Sequence, residues 1–460
     1  MPAFCSALSV LPSVKPVSPA DHHAVVLVTQ GLEDVASQYL SENGLVLGEI
    51  ELLTQPRVAL GEAAIGKLLV RVPLDRNALL RLQKAPVVQA VLAFVAAAQG
   101  LSSVGAWKDD GVGGVVPEGV LAELAEVVSS SQHWDHAVAL LEATGVRGVS
   151  SFRASCAVSG RTHSGFGCED AMRAMGGGVL TEPSRGPAWE VDLYEYGVEL
   201  FGVLCDGHFA CGLLLGGEWR TTENPRRRQF GLAPFTEAAG RPYLAGSSSL
   251  WYMPRLRPST ALLLLLLADV QPGDTVLDPF GGSGTIAIEA AVHLPDVRAI
   301  TADVHRPTAS RAIRNVKLAR ASGLAPGSEA LARDWDATNL TAVEAASVDR
   351  VVADLPFGHR CRWDVEQQLP AFLSELGRVL RPGGRAVLLM PGYQRVAKLL
   401  SDTEAEGPSG GSVSEQAERL AAGAAGGSAR SHNLLLEAKR RVGVGGFGCW
   451  ALTLVRSSTL

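Results

Sequence analysis

The stretch that decides the fold is Leu277-Asp278-Pro279-Phe280-Gly281-Gly282-Ser283-Gly284-Thr285. The apolar run at residues 275–277 before it has the composition of a buried strand. Residues 285–293 after it combine small and apolar residues with good helix formers. The pattern therefore predicts a strand, a glycine turn and a helix, an arrangement in which a ligand can approach bare backbone.

The glycines alone are compatible with two cofactor classes. Residues 282–287 satisfy the loose dinucleotide pattern G-x-G-x-x-A, and Asp303 lies at the distance expected for ribose recognition. A nicotinamide enzyme is therefore one hypothesis. At the carboxyl end of the first strand, however, the carboxylate of Asp278 would repel a pyrophosphate. S-adenosylmethionine fits this position better, because it has a cationic ammonium group, a ribose for Asp303 and no phosphate.

The composition indicates a globular protein that can build sizeable cores. The 460 residues suggest about two to four domains, and 47% of them are hydrophobic and 19% charged. The net charge of −6 argues against bulk attraction to nucleic acid, so RNA binding would depend on local basic patches. The apolar run at residues 261–270 is too short to span a bilayer, which favours a buried helix and no membrane association.

The seven cysteines bear on compartment and metal content. They form no C-x-x-C pair, and no Cys/His cluster has zinc-like spacing. We therefore predict reduced thiols in an intracellular, cytoplasmic protein without a metal site, with the nucleus and organelles left open.

Pattern changes along the chain predict five parts. Residues 1–23 read as a disordered tail, 24–145 as a ferredoxin-like α+β module with a loop insert, 146–220 as a second module and 221–250 as a linker. Residues 251–460 alternate strands and helices, which predicts a mostly parallel, doubly wound sheet with an antiparallel edge and a flexible insert at 403–430.

Before the carboxyl-terminal domain, several elements are predicted from local pattern. We expect one helix over residues 117–141, a short helix over 169–175 that ends at glycines 176–178, and strands near 191–200 and 200–215.

The second informative stretch is Asp354-Leu355-Pro356-Phe357-Gly358, which follows a predicted strand. In an open α/β sheet it lies at the same edge as Asp278. An exocyclic amine is a poor nucleophile, and acceptance of its hydrogens by Asp354 and by carbonyls near Pro356 would localise its lone pair. Phe357 would stack on the base. The alternative is an ordinary strand-to-loop turn, but the pairing with the glycine turn favours the catalytic interpretation.

Other residues are assigned by position. Asp303 is expected to bind ribose hydroxyls, its alternative being a solvated strand-end carboxylate. Asp336, or else Asp334, is expected to accept from the adenine amine beside Trp335. The remaining predictions are cofactor contacts at Pro279, Gly281, Gly282, Gly284 and Thr285, and RNA contacts at Arg153, Arg226, Arg227, Arg228 and Arg257.

Together the two acidic motifs resemble the class I, Rossmann-like methyltransferases that modify nucleic-acid amines. More narrowly, Leu-Arg-Pro-Ser-Thr-Ala at residues 256–261 is similar to the THUMP-domain RNA guanosine N2-methyltransferases. The motif Ser151-Phe152-Arg153-x-x-Cys156 with Gly160, His163 and glycines 176–178 resembles their THUMP segment, and residues 31–36 resemble their ferredoxin-like module. The likeness covers roughly residues 24 to 456.

This resemblance implies a function and partners. The expected donor is S-adenosylmethionine, and the expected acceptor is the guanine 2-amino group of a structured RNA, most often tRNA, bound through its acceptor region. Eukaryotic members often need a small zinc-containing activator subunit. Leu355 departs from the Pro found in many amine methyltransferases. The alternatives are a guanosine in small nuclear or ribosomal RNA, a protein side-chain amide, and an inactive RNA-binding adaptor.

Overall fold

The computed structural model describes residues 9–10, 21–54, 64–99, 101, 118–159, 167–181, 188–205, 208–217, 256–356, 365–401, 433–444 and 447–458. The predicted linker at 221–250 and insert at 403–430 lie outside these residues, as does most of the tail. The chain divides into two compact units, Met1–Met253 and Pro254–Leu460. In the part that is described, no helix is long and apolar enough to cross a membrane.

The first unit contains one nine-stranded sheet in the order β3-β4-β2-β5-β9-β8-β6-β7, with β1 paired to β5. Its elements are β1 (Ser9–Val10), β2 (Asp21–Leu27), α1 (Glu33–Glu42), β3 (Leu47–Thr54), β4 (Ala64–Pro73), α2 (Arg76–Gln83), β5 (Ala90–Gln99), α3 (Glu118–Ser129), α4 (Trp134–Ala143), β6 (Ser151–Ser159), α5 (Cys168–Thr181), β7 (Glu190–Val191), β8 (Val198–Cys205) and β9 (His208–Gly217). The division of this unit into a ferredoxin-like and a THUMP module stays a prediction.

The glycines expected to end the short helix at 169–175 instead lie inside α5, so that prediction is wrong. The physical reason is close packing of α5 against α3. A Cβ atom at Gly178 would lie 2.5 Å from the Ala125 carbonyl oxygen and 3.0 Å from the Val128 Cβ. Glycine is therefore used here to bring two helices together, and the helix bears the cost that glycine carries in a helix interior.

Two other boundaries differ from the prediction. The single helix expected over residues 117–141 is two helices, α3 and α4, and the Trp134 indole Nε1 donates to the Val128 carbonyl across the break at 3.0 Å. The strand expected near 191–200 is interrupted by a turn, because Asp192 Oδ1 accepts from the backbone N–H groups of Tyr194 and Glu195, both at 2.8 Å. The strand expected near 200–215 is the hairpin of β8 and β9.

The second unit has the predicted doubly wound sheet, with seven strands in the order β12-β11-β10-β13-β14-β16-β15. The first five are parallel, whereas β16 is antiparallel to both β14 and β15. Its elements are α6 (Pro258–Leu267), β10 (Thr275–Asp278), α7 (Thr285–His293), β11 (Arg298–Ala302), α8 (Arg306–Ser322), β12 (Glu329–Arg333), β13 (Val348–Asp354), α9 (Val365–Val379), β14 (Leu380–Met390), α10 (Gln394–Ser401), β15 (Leu434–Val444) and β16 (Phe447–Arg456). The predicted Rossmann-like fold is confirmed.

The strand order places a ligand crevice at one edge of this sheet. β10 pairs with both β11 and β13, so the strand order reverses at β10. In open α/β sheets, ligands bind outside the carboxyl ends of the strands at such a switch point. Asp278 and Asp354 are the last residues of β10 and β13. The leucine-rich α6 is buried on nearly all sides, as expected of a core helix.

Candidate active site

The glycine turn after β10 is held by one backbone hydrogen bond to the next strand and by another within the turn. Gly281 N–H donates to the Ala302 carbonyl at 2.7 Å, and Gly284 N–H donates to the Gly281 carbonyl at 2.7 Å. Gly282 and Gly284 have φ values of 54° and 87°, a region that favours glycine. Gly284 is also the N-cap residue immediately before α7. The turn therefore directs the amino terminus of α7 towards the carboxyl edge of the sheet.

The two sides of this turn differ in their surroundings. A Cβ atom at Gly281 would overlap the Thr301 side chain, approaching its Cβ to 2.9 Å, so the backbone packs directly on β11. At Gly282 an added Cβ would meet nothing within 4 Å. Asn315 on α8 fixes the turn from another direction by donating its Nδ2 to the Ser283 carbonyl at 2.9 Å. The tip of the turn is thus open while its base is rigidly held.

Asp278 is buried at the end of β10, and its Oδ1 accepts from the Phe280 N–H at 3.2 Å. Burial raises the pKa of Asp278 well above its ordinary value, and the negative charges of Asp354 and Asp303 add to the rise. The charges of Asp354 and Asp303 therefore both reach Asp278. A cationic ligand group would offset the cost of these charges, whereas a pyrophosphate would increase it.

Asp303, just after β11, supports the glycine turn. Its Oδ2 accepts from Gly282 N–H at 3.2 Å and its Oδ1 from His305 N–H at 2.8 Å. Burial raises the pKa of Asp303, although these two hydrogen bonds oppose the rise. Each carboxylate oxygen has about two lone-pair sites, so acceptor capacity remains for further donors. The predicted ribose contact is compatible with this geometry and stays a prediction.

Asp354 is the last residue of β13. The next residue, Leu355, donates its N–H to the Leu389 carbonyl at 3.0 Å. Burial raises the pKa of Asp354 to about 7. Within the described part of the chain, its buried Oδ1 has no hydrogen-bond partner. Buried polar atoms are nearly always paired, so an orphan acceptor indicates a place for a donor from a ligand. Pro356 is described, whereas Phe357 and Gly358 lie outside the described residues.

The residues predicted to bind adenine follow β12. Asp336 is exposed, and its Oδ1 accepts from the Thr338 N–H at 2.8 Å and the Thr338 hydroxyl at 2.7 Å. Asp334 is also exposed, with Oδ2 4.0 Å from Arg306 Nε. Trp335 packs partly against the core of the unit. The structure thus assigns Asp336 a turn-forming contact, and its contact with adenine stays a prediction.

The predicted RNA contacts are distributed over both units. Arg153 on β6 is engaged locally, with Nη2 3.6 Å from Glu199 Oε1, its Nε donating to Ser155 Oγ at 3.1 Å, and its guanidinium 5.3 Å from the Tyr196 ring centroid. Arg257 is the residue immediately before α6. The basic run Arg226, Arg227 and Arg228 lies outside the described residues.

Sequence reasoning missed the role of Asn315. Its signal was a polar residue on the apolar face of an otherwise basic helix, where it is buried beside Ala312, Val316 and Ala319.

No group of three or more His, Cys, Asp or Glu side chains in the described residues is arranged to hold a metal ion.

The strand order, the glycine turn and the two acidic strand ends define a Rossmann-like methyltransferase domain. Residues 252–409 match the family described as UPF0020, RMKL-like, methyltransferase domain. The fold is similar to the crystal structure of TrmN from Thermus thermophilus, with a TM-score of 0.52 and 23% identity, over 95% of this chain and 100% of that chain.

The curated relatives that the chain matches are named as guanine N2-methyltransferases. The chain is 31% identical to the Bos taurus tRNA (guanine(6)-N(2))-methyltransferase THUMP3 over 55% of this chain and 46% of that protein. It is 29% identical to the Mus musculus U6 snRNA (guanine-N(2))-methyltransferase THUMPD2 over 52% of this chain and 38% of that protein. The chain thus covers less than half the length of these relatives. The matches confirm its resemblance to the THUMP-domain class I guanosine N2-methyltransferase family.

Proposed function

We propose that this protein transfers a methyl group from S-adenosylmethionine to the N2 amine of a guanosine in structured RNA, with tRNA as the first candidate. The observation that carries the proposal is the buried Asp354 Oδ1, which has no hydrogen-bond partner among the described residues and lies at the same sheet edge as the acidic glycine turn. A hydrogen-bond acceptor beside a site for a cationic donor is what amine methylation requires.

Three parts of the site fit the cofactor. Asp278 provides negative charge for the ammonium group, Asp303 provides acceptors for the ribose, and the open Gly282 tip allows close approach to backbone. Pro279, Gly281, Gly284 and Thr285 shape the same turn. Bound there, the cofactor would supply an electrophilic methyl group on a sulfonium. The same acidic position disfavours the dinucleotide of the nicotinamide alternative.

Asp354 would act on the acceptor amine. Ionised, its carboxylate accepts only, so it would bind a hydrogen of the guanine 2-amino group and direct the nitrogen lone pair at the methyl group. Transfer would form the new N–C bond and break the C–S bond of the donor, with the electron pair left on sulfur, and Asp354 would take one proton from the nitrogen and release it to solvent. Phe357 would stack on the base, and positioning would account for much of the catalysis.

The raised pKa of Asp354 predicts a pH dependence. Below about pH 7 the carboxyl is protonated and loses its acceptor-only character; above it the ionised form predominates. We expect kcat/KM for RNA to rise with pH through about 7 and then level off. The measurement is a pH profile of initial rates, compared with Asp354→Asn, whose amide does not titrate. A wild-type profile that is flat between about pH 5.5 and 8.5 would contradict the assignment.

A second prediction separates the cofactor residues from the acceptor residue. Asp278→Ala and Asp303→Ala should each raise the dissociation constant for S-adenosylmethionine by about tenfold or more, since each removes a charge-assisted contact worth about 1.5–3 kcal/mol. Isothermal titration calorimetry measures the effect. Glu329→Gln is a matched control, because Glu329 is an exposed carboxylate at the start of β12, at the opposite edge of the sheet. Unchanged affinity in both Asp variants would remove the support for this cofactor site.

The RNA identity rests on the relatives. Two RNA classes appear in their names, tRNA and U6 snRNA, so a small nuclear RNA guanosine is the second candidate. In either RNA, a paired guanosine must be flipped out at a cost of a few kcal/mol.

The remaining proposals concern RNA contacts, a partner and the compartment. We propose that RNA is contacted by Arg153, Arg257 and the Arg226–Arg228 run. A small zinc-containing activator is a further proposed partner. The proposed compartment is the cytoplasm, consistent with free thiols at the described cysteines 156, 168, 211 and 449.

Nucleoside mass spectrometry of cells lacking the protein tests the substrate. Small RNAs would be separated into tRNA and U6 fractions before digestion. We expect N2-methylguanosine to fall in the tRNA fraction and to return when the wild-type chain, but not Asp354→Ala, is restored. A fall confined to U6 RNA would favour the second candidate. Unchanged N2-methylguanosine in all fractions would refute the proposal.

A further inference from the structure

Three side chains with no part in the proposed reaction lie together at the sheet edge that carries Asp354. Tyr393 lies between β14 and α10, Trp450 is on β16 and Lys439 is on β15. The Tyr393 and Trp450 ring centroids are 4.7 Å apart at an interplanar angle of 61°. Lys439 Nζ lies 4.5 Å from the Tyr393 centroid and 3.4 Å from its hydroxyl. We call Tyr393, Trp450 and Lys439 the aromatic patch.

Strand register gives the distance from this patch to Asp354. Asp354 pairs with Leu389 on β14, and Leu389 pairs with Ala451 on β16, next to Trp450. Neighbouring strands are about 4.8 Å apart, so the backbone of Trp450 lies about 10 Å from the backbone of Asp354 along the sheet edge. An electrostatic effect agrees with this placement. Burial raises the pKa of Cys449 to about 11, and the charge of Asp354 adds to the rise.

Core packing accounts for only part of the aromatic patch. Both rings pack against the cluster that contains Leu355 and Met390, so one side of each supports the core. Both remain partly exposed, and Lys439 is exposed. Burial of the core does not require a lysine over a partly exposed aromatic pair near Asp354, so these three side chains need a further explanation.

Other positively charged residues lie on the elements that carry or adjoin the aromatic patch. Arg441 on β15 is exposed and pairs in register with Trp450, and α10, which packs against β15, contributes exposed Arg395 and Lys398. In a chain with a net charge of −6 this is a local basic surface. Proteins that bind single-stranded nucleic acid combine such charges, which follow the phosphates, with aromatic rings on which bases stack. The chemistry therefore fits an unpaired nucleotide.

We infer that the aromatic patch binds an unpaired nucleotide flanking the target guanosine, with its base against Tyr393 and Trp450 and its phosphate near Lys439 and Arg441. The inference rests on the proposed function, because it requires the target base to lie at Asp354. Stacked nucleotides advance about 3.4 Å each, so a base within about three nucleotides of the target reaches the patch. The patch would hold the strand while the target base is presented to Asp354.

The test is steady-state methylation of a total tRNA fraction by the full chain. We expect Lys439→Ala to raise KM for RNA about threefold to tenfold with kcat and S-adenosylmethionine affinity unchanged, and to lower the salt dependence of binding by about one phosphate contact. Tyr393→Ala should raise KM by about fivefold to a hundredfold, the loss typical of one stacked base, whereas Tyr393→Phe should retain near wild-type KM. Arg298→Ala is the matched basic control, as Arg298 begins β11 at the opposite edge.

A second measurement identifies the contact directly. RNA containing 4-thiouridine is photo-crosslinked to the wild-type chain, and the peptides are mapped by mass spectrometry. We expect crosslinks in the peptides that contain Tyr393 or Trp450. Crosslinks found only in other peptides would overturn the inference. A Lys439→Ala variant with unchanged KM for RNA and unchanged salt dependence of binding would also overturn it. Neither result depends on the stability of Tyr393→Ala. If the wild-type chain methylates no RNA at all, the proposed function fails first, and that result is distinct from either of these.

Discussion

Asp354→Ala is expected to lower the rate of methyl transfer to RNA by about 10²–10⁴-fold, the range for removing a positioned proton acceptor. The substitution removes the Asp354 carboxylate, whose buried Oδ1 has no hydrogen-bond partner among the described residues. Affinity for S-adenosylmethionine should change little, because the cofactor contacts are assigned to the glycine turn and Asp303. Single-turnover rates and calorimetry on the same preparation measure the two quantities separately.

Two controls separate a catalytic from a structural effect of Asp354. Burial raises the pKa of Asp354, so its charge opposes folding at higher pH, and Asp354→Ala should not lower the melting temperature at about pH 8. Asp354→Asn keeps one acceptor oxygen and should fall between wild type and the alanine variant. Full N2-methylguanosine formation by Asp354→Ala would show that this residue has another role.

Gly281→Ala is expected to raise the dissociation constant for S-adenosylmethionine by at least about tenfold and to destabilise the fold by about 1–3 kcal/mol. The added Cβ would overlap the side chain of Thr301, which is buried on β11 between β10 and β12. The turn would have to move off β11, and the hydrogen bonds from Gly281 to Ala302 and from Gly282 to Asp303 would weaken. Calorimetry and thermal unfolding measure both effects.

The matched control removes the obstructing side chain. In the double variant Gly281→Ala with Thr301→Ala the closest clash is gone, whereas the clash with the Thr301 Cβ at 2.9 Å remains. Part of the lost affinity and stability should therefore return, giving a non-additive double-mutant cycle. If the losses in the double variant equalled the sum of those in the two single variants, the turn would not rest on Thr301.

The methyltransferase fold was readily predictable because local and global signals agree there. The strand, turn and helix at residues 275–293 and the antiparallel end of the sheet follow from periodicity and glycine placement. In the first unit the same rules failed at α5, since a glycine that ends a helix and one that lets two helices touch look alike in sequence. The difference lies in the partner, here Ala125 on α3, which no local pattern reveals.

The site was predictable in its acidic residues and less so in its supports. Asp278 and Asp354 end strands and Asp303 follows one, and the effect of Asp303 and Asp354 on Asp278 is visible once the strands are ordered. The hydrogen bond of Asn315 to the glycine turn depends on α8 packing across it, and the aromatic patch depends on β16 returning antiparallel beside β14. Both are consequences of tertiary arrangement, so single-sequence periodicity could not show them.

The most direct test of the central proposal is methylation of total RNA in vitro by the purified chain with S-adenosylmethionine labelled on the methyl group. The products are digested to nucleosides and separated, with Asp354→Ala treated in parallel. We predict labelled N2-methylguanosine in the tRNA fraction for the wild type and its near absence for the variant. Label in protein alone, or in a nucleoside other than N2-methylguanosine, would contradict the account.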